Sequence, residues 1–403
     1  MSIRFLKVVF FTGIVAMAVF FWPWAKITHE VPKVWFFSRW VELLVVLAFL
    51  NSAAYIKAGK MNLWLLVFLG IWTTVAVISS ILGQDVAKSF AGNYYRLDGL
   101  TTFFHLLGFC LFVAIFWQES WKKLVSLAIA VGSTLVSSWI IIDAVRLFIL
   151  HQPNVANWSG ALGGPFGQPV FLGGFLLVSL PFTLYLATSW EKLNKLYILA
   201  STLQIIGILL TRSLAPTLGI LILFLLWWCL TKRKALYWTV SICVGLAAVT
   251  GVMFYWWGSI HQTQFIVAES RERIFTKLFL AVQQKPLLGY GWANVDYAFD
   301  SVVWPIKFNN DVYVDKAHSH LLESAVTTGL VGLLAYVLVL IGLGSVLVKR
   351  YLNNKSVWNI ALLCVFGMFV FHTQTNVISV SEEMLFWLLL GICLSRWGFE
   401  EKG

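Results

Sequence analysis

Apolar residues do not alternate along this chain; they run. Stretches of about twenty residues with almost no charge recur from end to end, each bounded by a short polar segment. Wound as α-helix, a run of that length crosses the hydrocarbon core of a bilayer. Twelve can be marked: 6–25, 38–57, 62–83, 98–117, 124–149, 168–189, 195–211, 214–231, 235–257, 323–348, 357–376 and 381–397. The pattern predicts an all-α polytopic membrane protein with about 12 transmembrane helices. It shows no internal repeat and no low-complexity linker. Only one connection is long, so three segments are expected: nine helices over 1–257, a partly helical loop over 258–322, and three helices with a tail over 323–403.

Composition agrees with this reading. The 403 residues are 60% hydrophobic and 12% charged, with a mean hydropathy of +0.82. A soluble protein of this length needs far more polar surface. The 21 Trp and 32 Phe suit aromatic belts at helix ends, as in FFWPWA near Trp22 and YWW near Trp256. The net charge of +11 admits a nucleic-acid partner, but its distribution points elsewhere. With the N-terminus cytoplasmic, 16 of the 29 Lys and Arg fall in cytoplasmic segments, from Arg4 and Lys7 to Arg396 and Lys402. The outward loop 151–167 has none. That bias predicts cytoplasmic termini and a 258–322 loop facing the periplasm or exterior. The five cysteines all lie inside apolar runs, without zinc spacing or an exposed disulfide position. MSIRFLK opens a run that ends in WPWAKI, a poor cleavage site, so the first run reads as an uncleaved helix.

Under this topology the unusual polar residues gather on the outer side. AGNYYRLDGL carries Arg96 and Asp98, and GGPFGQPVFLGG, residues 163–174, contains Gln168. LLTRSLAPTLG is a tight turn bearing Arg212. In the long loop, SRERIFTKLFLAVQQKPLLGYG reads as a helix capped by Ser270 and ended by Pro286 and Gly289. At 100° per residue, Ile274, Phe275, Leu278 and Val282 form its apolar face with Arg271 near the centre, while Arg273, Lys277 and Gln284 point to water. A guanidinium on a packed face either meets an anion or snorkels to a nearby carboxylate. The loop's six bases balance its six acids, so it offers no long-range field for nucleic acid.

AHSH then places His318 and His320 two residues apart, just before an apolar run. Residues i and i+2 share a face of an extended segment but not of a helix. A zinc site needs further ligands, and only scattered aspartates are near. A histidine at a membrane–water boundary can instead take a proton from a hydroxyl, and a lone exposed one is often inert.

The order of these features resembles the O-antigen ligase and O-antigen polymerase family of envelope glycosyltransferases, over nearly the whole chain. NYYRLDGLTTF is similar to the family's Arg-Tyr-(Asp/Glu)-Gly-Leu stretch, and GGPFGQPVFLGG to its Gly-Thr-Phe-Gly-Asn-Pro-Asn run. LLTRSLAPTLG sits at its Thr-x-Ser-Arg, although Arg212 stands two positions before Leu214, where the family arginine falls. SRERIFTKLFLAVQQKPLLGYG resembles Arg-x-x-x-Trp…Pro-Leu-Leu-Gly-x-Gly, matching Arg271 and Phe275 to the family arginine and aromatic. AHSHLLESAVTTGLVGLLAY resembles Ala-His-Asn-x-x-Leu…Gly-Leu-x-Gly, with His318 on the family histidine, Ser319 in place of Asn, and His320 an added imidazole.

The resemblance implies a GT-C-like enzyme of the inner membrane that needs no metal and no nucleotide or other cofactor. Its donor would be a glycan on polyprenyl pyrophosphate, its acceptor lipid A-core or another glycan, and its surroundings membrane lipids. For that chemistry His318, on the family histidine, is the expected base and Arg271 with Arg212 the expected pyrophosphate clamp, with Arg96, Asp98, Arg273, His320 and Gln168 as further candidate substrate contacts. A polysaccharide polymerase and a protein O-oligosaccharyltransferase are alternatives in the same class. A lipid-linked glycan flippase is the alternative outside it; such transporters place ionisable groups near the midplane, where Asp143, Arg146, His105 and His372 are the candidates.

Overall fold

The computed structural model describes residues 3–50, 61–152, 162–231, 269–307 and 312–395. Within them the chain forms helices and no strands. They are α1 (Ile3–Val19), α2 (Glu30–Leu50), α3 (Leu63–Ile81), α4 (Val86–Ala91), α5 (Leu100–Phe116), α6 (Lys122–Phe148) and α7 (Pro169–Ser189). These are followed by α8 (Asn194–Leu210), α9 (Leu214–Thr231), α10 (Arg271–Gln284), α11 (Val295–Asp300), α12 (His320–Asn353), α13 (Val357–Thr373) and α14 (Val380–Leu394). Helices occupy eleven of the twelve apolar runs; the twelfth, 235–257, lies outside the described residues, as does Cys243.

Five described helices are long and apolar enough to cross a membrane: Leu63–Ile81, Glu119–Phe148, Pro169–Ser189, Leu214–Thr231 and His320–Asn353. Phe5–Val19, Leu100–Phe116, Asn194–Leu210 and Val357–Thr373 are shorter apolar helices. α7 is buried along most of its length, with α6, α8 and α13 packed around it. α14 lies against α5, and α12 against α3. Helices apolar all round, as these are, are what a bundle interior or lipid contact calls for.

α12 is two helices rather than one. Gly329 breaks it with a φ of 68°. The break frees backbone groups that need partners, and the turn after α10 supplies them. Tyr290 and Gly291 donate their N–H groups to the carbonyls of Val326 (2.9 Å) and Thr327 (2.8 Å). Leu330 in return donates to the Pro286 carbonyl at 2.7 Å. Only a residue without a side chain fits, since a Cβ at Gly329 would lie 2.1 Å from the Leu287 carbonyl oxygen. The PLLGYG and GLVG motifs are thus two halves of one backbone lock.

The long loop has its own small core, in which Ile274, Leu278, Tyr290, Phe299, Val314 and Ala317 are buried together. It is fastened to the segment after α3. Gln84 N–H meets the Tyr290 carbonyl at 2.7 Å, Asn294 Nδ2 donates to Ser89 Oγ at 3.0 Å, and Lys88 pairs with Asp296. The two short helices α4 and α11, which the apolar pattern did not mark, form this contact.

Candidate functional site

The site is built around the short turn between α13 and α14. The sequence reading had included Gln374, Thr375 and Asn376 in an apolar run, but α13 ends at Thr373 and the three lie outside it. Asn376 Oδ1 accepts from Arg271 Nη2 at 3.0 Å. Gln374 Oε1 accepts from Ser319 Oγ at 3.1 Å and from the Leu321 N–H at 3.2 Å. One turn therefore holds both the arginine at the start of α10 and the residue next to His318.

Ser319 is the N-cap of α12, with its side chain accepting from Leu322 N–H. An asparagine caps a helix equally well, so the exchange preserves the local geometry. His318, just before the cap, has a left-handed backbone with φ of 53°. Such conformations are sparsely populated and persist only where surrounding contacts hold them. Burial, then the positive charge of Arg271, push His318 below the ordinary histidine pKa, while Asp315 and Glu323 pull the other way. His320 is committed elsewhere: its ring stacks on Tyr336 with centroids 4.8 Å apart.

The face assigned to α10 needs correction. Its buried residues are Ile274, Lys277, Leu278 and Ala281, whereas Arg271 is exposed and Phe275 is 38% exposed. Lys277, expected to face water, is 2% exposed with its ammonium 3.9 Å from the centroid of the Phe299 ring. Arg273 turns inward too, pairing with Glu269 at 3.1 Å and donating to the Pro305 carbonyl at 2.9 Å. Lys307, 2.9 Å away, and Arg273 hold the Glu269 carboxyl below the usual range despite the upward push of burial. The apolar residues of this helix are strongly one-sided, but its buried face is rotated from them toward Lys277 and Ala281. Two long cationic side chains with apolar stems and an aromatic partner decided it.

The remaining candidates divide. Arg96 pairs with Asp315 of the long loop and lies over Phe171, near the start of α7, at 5.4 Å. Asp98 meets Lys316 at 2.7 Å, and Lys316 also meets Glu323 at 2.6 Å. Burial alone would raise the Asp98 carboxyl; the Lys316 ammonium and the Asn93 N–H hold it below the ordinary range. Burial would likewise lower the Lys316 ammonium, but the two carboxylates hold it above the usual lysine value. Gln168 precedes α7 and is exposed, with no capping hydrogen bond from its side chain.

Arg212 sits on the α8–α9 turn with φ of 54°, exposed, its guanidinium 5.0 Å from the Phe148 ring centroid. It is linked to the α13–α14 turn through α7. A Cβ at Gly173 would lie 3.2 Å from Thr211 Oγ1, and one at Gly174 would lie 2.1 Å from His372 Cε1. His372 is the penultimate residue of α13 and pairs with Glu382 of α14 at 2.8 Å, both fully buried.

Arg271, His318, Arg96, Asp98 and His320 thus meet in one assembly, Arg273 stands in the loop core, and Arg212 and Gln168 stand on neighbouring turns. Sequence reasoning missed Gln374, Asn376, Asp315, Lys316 and Glu323. The polar triplet at 374–376 was the one legible signal for them.

A comparison with curated proteins finds no match. Residues 199–337 match the family model described as O-Antigen ligase. The matched stretch runs from α8 into α12 and contains Arg212, Arg271, Arg273, His318 and His320, but not Arg96, Asp98 or the α13–α14 turn. Through residues 199–337, about a third of its length, this membrane protein is similar to the O-antigen ligase family.

Proposed function

We propose that the protein transfers a glycan from undecaprenyl pyrophosphate to an acceptor hydroxyl at the outer face of the cytoplasmic membrane, as an O-antigen ligase joining O-antigen to lipid A-core. One observation carries this reading. A histidine in a strained backbone turn and an arginine at a helix start are tied, one through Ser319, to the same turn at the end of α13.

The chemistry asks for those two groups. An acceptor hydroxyl is a poor nucleophile. His318, kept neutral by burial and by Arg271, takes its proton as the oxygen forms a bond to the anomeric carbon. The bond from that carbon to the pyrophosphate oxygen breaks, and the lipid pyrophosphate leaves without needing a proton. Negative charge gathers on it as it leaves. Guanidiniums suit that charge because they stay ionised and present forked donors to phosphate oxygens. Arg271 is the first of these. Arg212, exposed on the α8–α9 turn, is the second. The twelve expected helices would hold the polyprenyl tail, and residues 258–322 would cap it from outside.

The cell envelope of a strain lacking the protein tests this reading. Loss of a ligase leaves full-length glycan on the carrier lipid. Single repeat units on the carrier would instead mark a polymerase, and an unchanged profile would overturn the proposal.

A further inference from the structure

A cavity beside the turn has a lining unlike the arginine end of the site. Its floor is aromatic: Trp72 stacks on Trp387 at 5.9 Å and packs against Tyr336 at 5.1 Å and Trp292 at 6.3 Å. Two polar atoms of that floor lack a partner among the described residues, the Tyr336 hydroxyl and the Trp72 indole N–H. Tyr336 is 1% exposed and Trp72 is 3% exposed. A buried donor left unpaired is costly, and buried tyrosine and tryptophan normally find an acceptor.

The ionisable lining holds more carboxyl groups than cations. Glu30, Asp98, Glu323 and Glu383 face two cations, Arg96 and Lys316. Asp98 and Glu323 are used by Lys316. The Glu383 carboxyl makes no ion pair and no hydrogen bond among the described residues, and one oxygen of Glu30 has no partner there. Such a chamber carries no net positive charge to hold a pyrophosphate. It offers donors and acceptors to hydroxyls and an apolar floor to a ring face, the mixture that fixes a small polar ligand in a pocket.

We infer that this chamber binds one sugar residue, neutral or amine-bearing, of the acceptor glycan and rejects sugars carrying carboxylate or phosphate. The inference rests on the transfer reading above. It divides the site into a carboxyl-lined acceptor end and a donor end at Arg271, and Ser319, next to His318, lines the chamber between them.

Tryptophan fluorescence of the purified protein in detergent, titrated with methyl glucoside, methyl glucosaminide and methyl glucuronide, tests the chamber without requiring turnover. The first two should change the signal saturably and the third should not. Tyr336→Phe, which removes only the hydroxyl, and Glu383→Gln should each weaken binding about 3- to 10-fold. Size-exclusion profiles matching wild type show that the variants are folded. Equal binding of the glucuronide, no saturable response to any sugar, or unchanged affinity in both folded variants would overturn the inference. In a transfer assay the same variants should raise the acceptor KM and leave the donor KM unchanged. Sugar binding as described in a protein that transfers no glycan would count against the transfer reading and leave the chamber standing.

Discussion

The rings of His320 and Tyr336 stack 4.8 Å apart, although sixteen positions separate them. In a straight helix they would lie about 24 Å apart. The Gly329 break folds the first turns of α12 back over its membrane-spanning part, and the stack is the contact that closes the fold. It commits one imidazole of the His-Ser-His pair to packing and leaves the other as base.

His320→Phe should therefore cost transfer less than about 5-fold, because a phenyl ring keeps a stack worth about 0.5–1.5 kcal/mol. Steady-state rates of the purified variant check this. Treatment with EDTA should leave the wild-type rate unchanged. Inhibition by the chelator would revive the pair as metal ligands.

Acid should switch transfer off late. The base must be neutral, and burial with Arg271 lowers its pKa below the ordinary histidine value of 6.5. Activity is present above the folded pKa and lost as pH falls through it, so the acid limb of kcat/KM should lie below 6.5. Arg271→Gln removes the second of the two causes, and the limb of its residual activity should move upward. An acid limb at or above 6.5 in the wild type would exclude His318 as the titrating base.

The two arginines of α10 should part company. Arg273 is tied to Glu269, the Pro305 carbonyl and Phe299 within the loop core. Arg273→Ala is expected to lower thermal stability by about 1–3 kcal/mol, through a broken pair that is partly buried, and to leave the KM for the donor near wild type. Asn376→Ala, which releases Arg271, should show the opposite pattern. It should lose about tenfold in kcat with little change in melting temperature, since a hydrogen bond to a charged group is worth about 1.5–3 kcal/mol. Thermal denaturation and kinetics on the two variants separate these outcomes.

The lock between the two glycine motifs should be intolerant of any side chain. Gly329→Ala combines a left-handed φ, costing about 1–2 kcal/mol, with a Cβ placed against the Leu287 carbonyl. Its folded yield and transfer should both collapse. Gly70→Ala, where an added Cβ meets nothing within 4 Å, is the matched control and should behave as wild type. Size-exclusion yield reads both.

Much of this was legible in the pattern, for physical reasons. Bilayer thickness sets the length of an apolar run, so eleven runs could be located to within a few residues in most cases. α1 and α2 depart most: α1 ends at Val19 rather than 25, and α2 starts at Glu30 rather than 38, where Glu30 and Lys33 look polar in sequence but Lys33 donates to the Met17 and Ala18 carbonyls and is fully buried. Ser270 marked the start of α10 because capping is local. The face of that helix, the Gly329 break and the partners of Arg271 were not legible. Each depends on segments distant in sequence: Phe299 for the face, Pro286 to Gly291 for the break, and Asn376 for the arginine. The α13–α14 turn was hidden because three polar residues at the end of an apolar run do not lower its average enough to mark a boundary.

The most direct measurement is glycan transfer by purified protein supplied with a polyprenyl-pyrophosphate-linked glycan and a lipid A-core acceptor, comparing wild type with His318→Ala and Arg271→Ala. Both variants should elute as wild type does and lose transfer by about 100-fold or more. Wild-type rates in either variant would contradict the account at its centre.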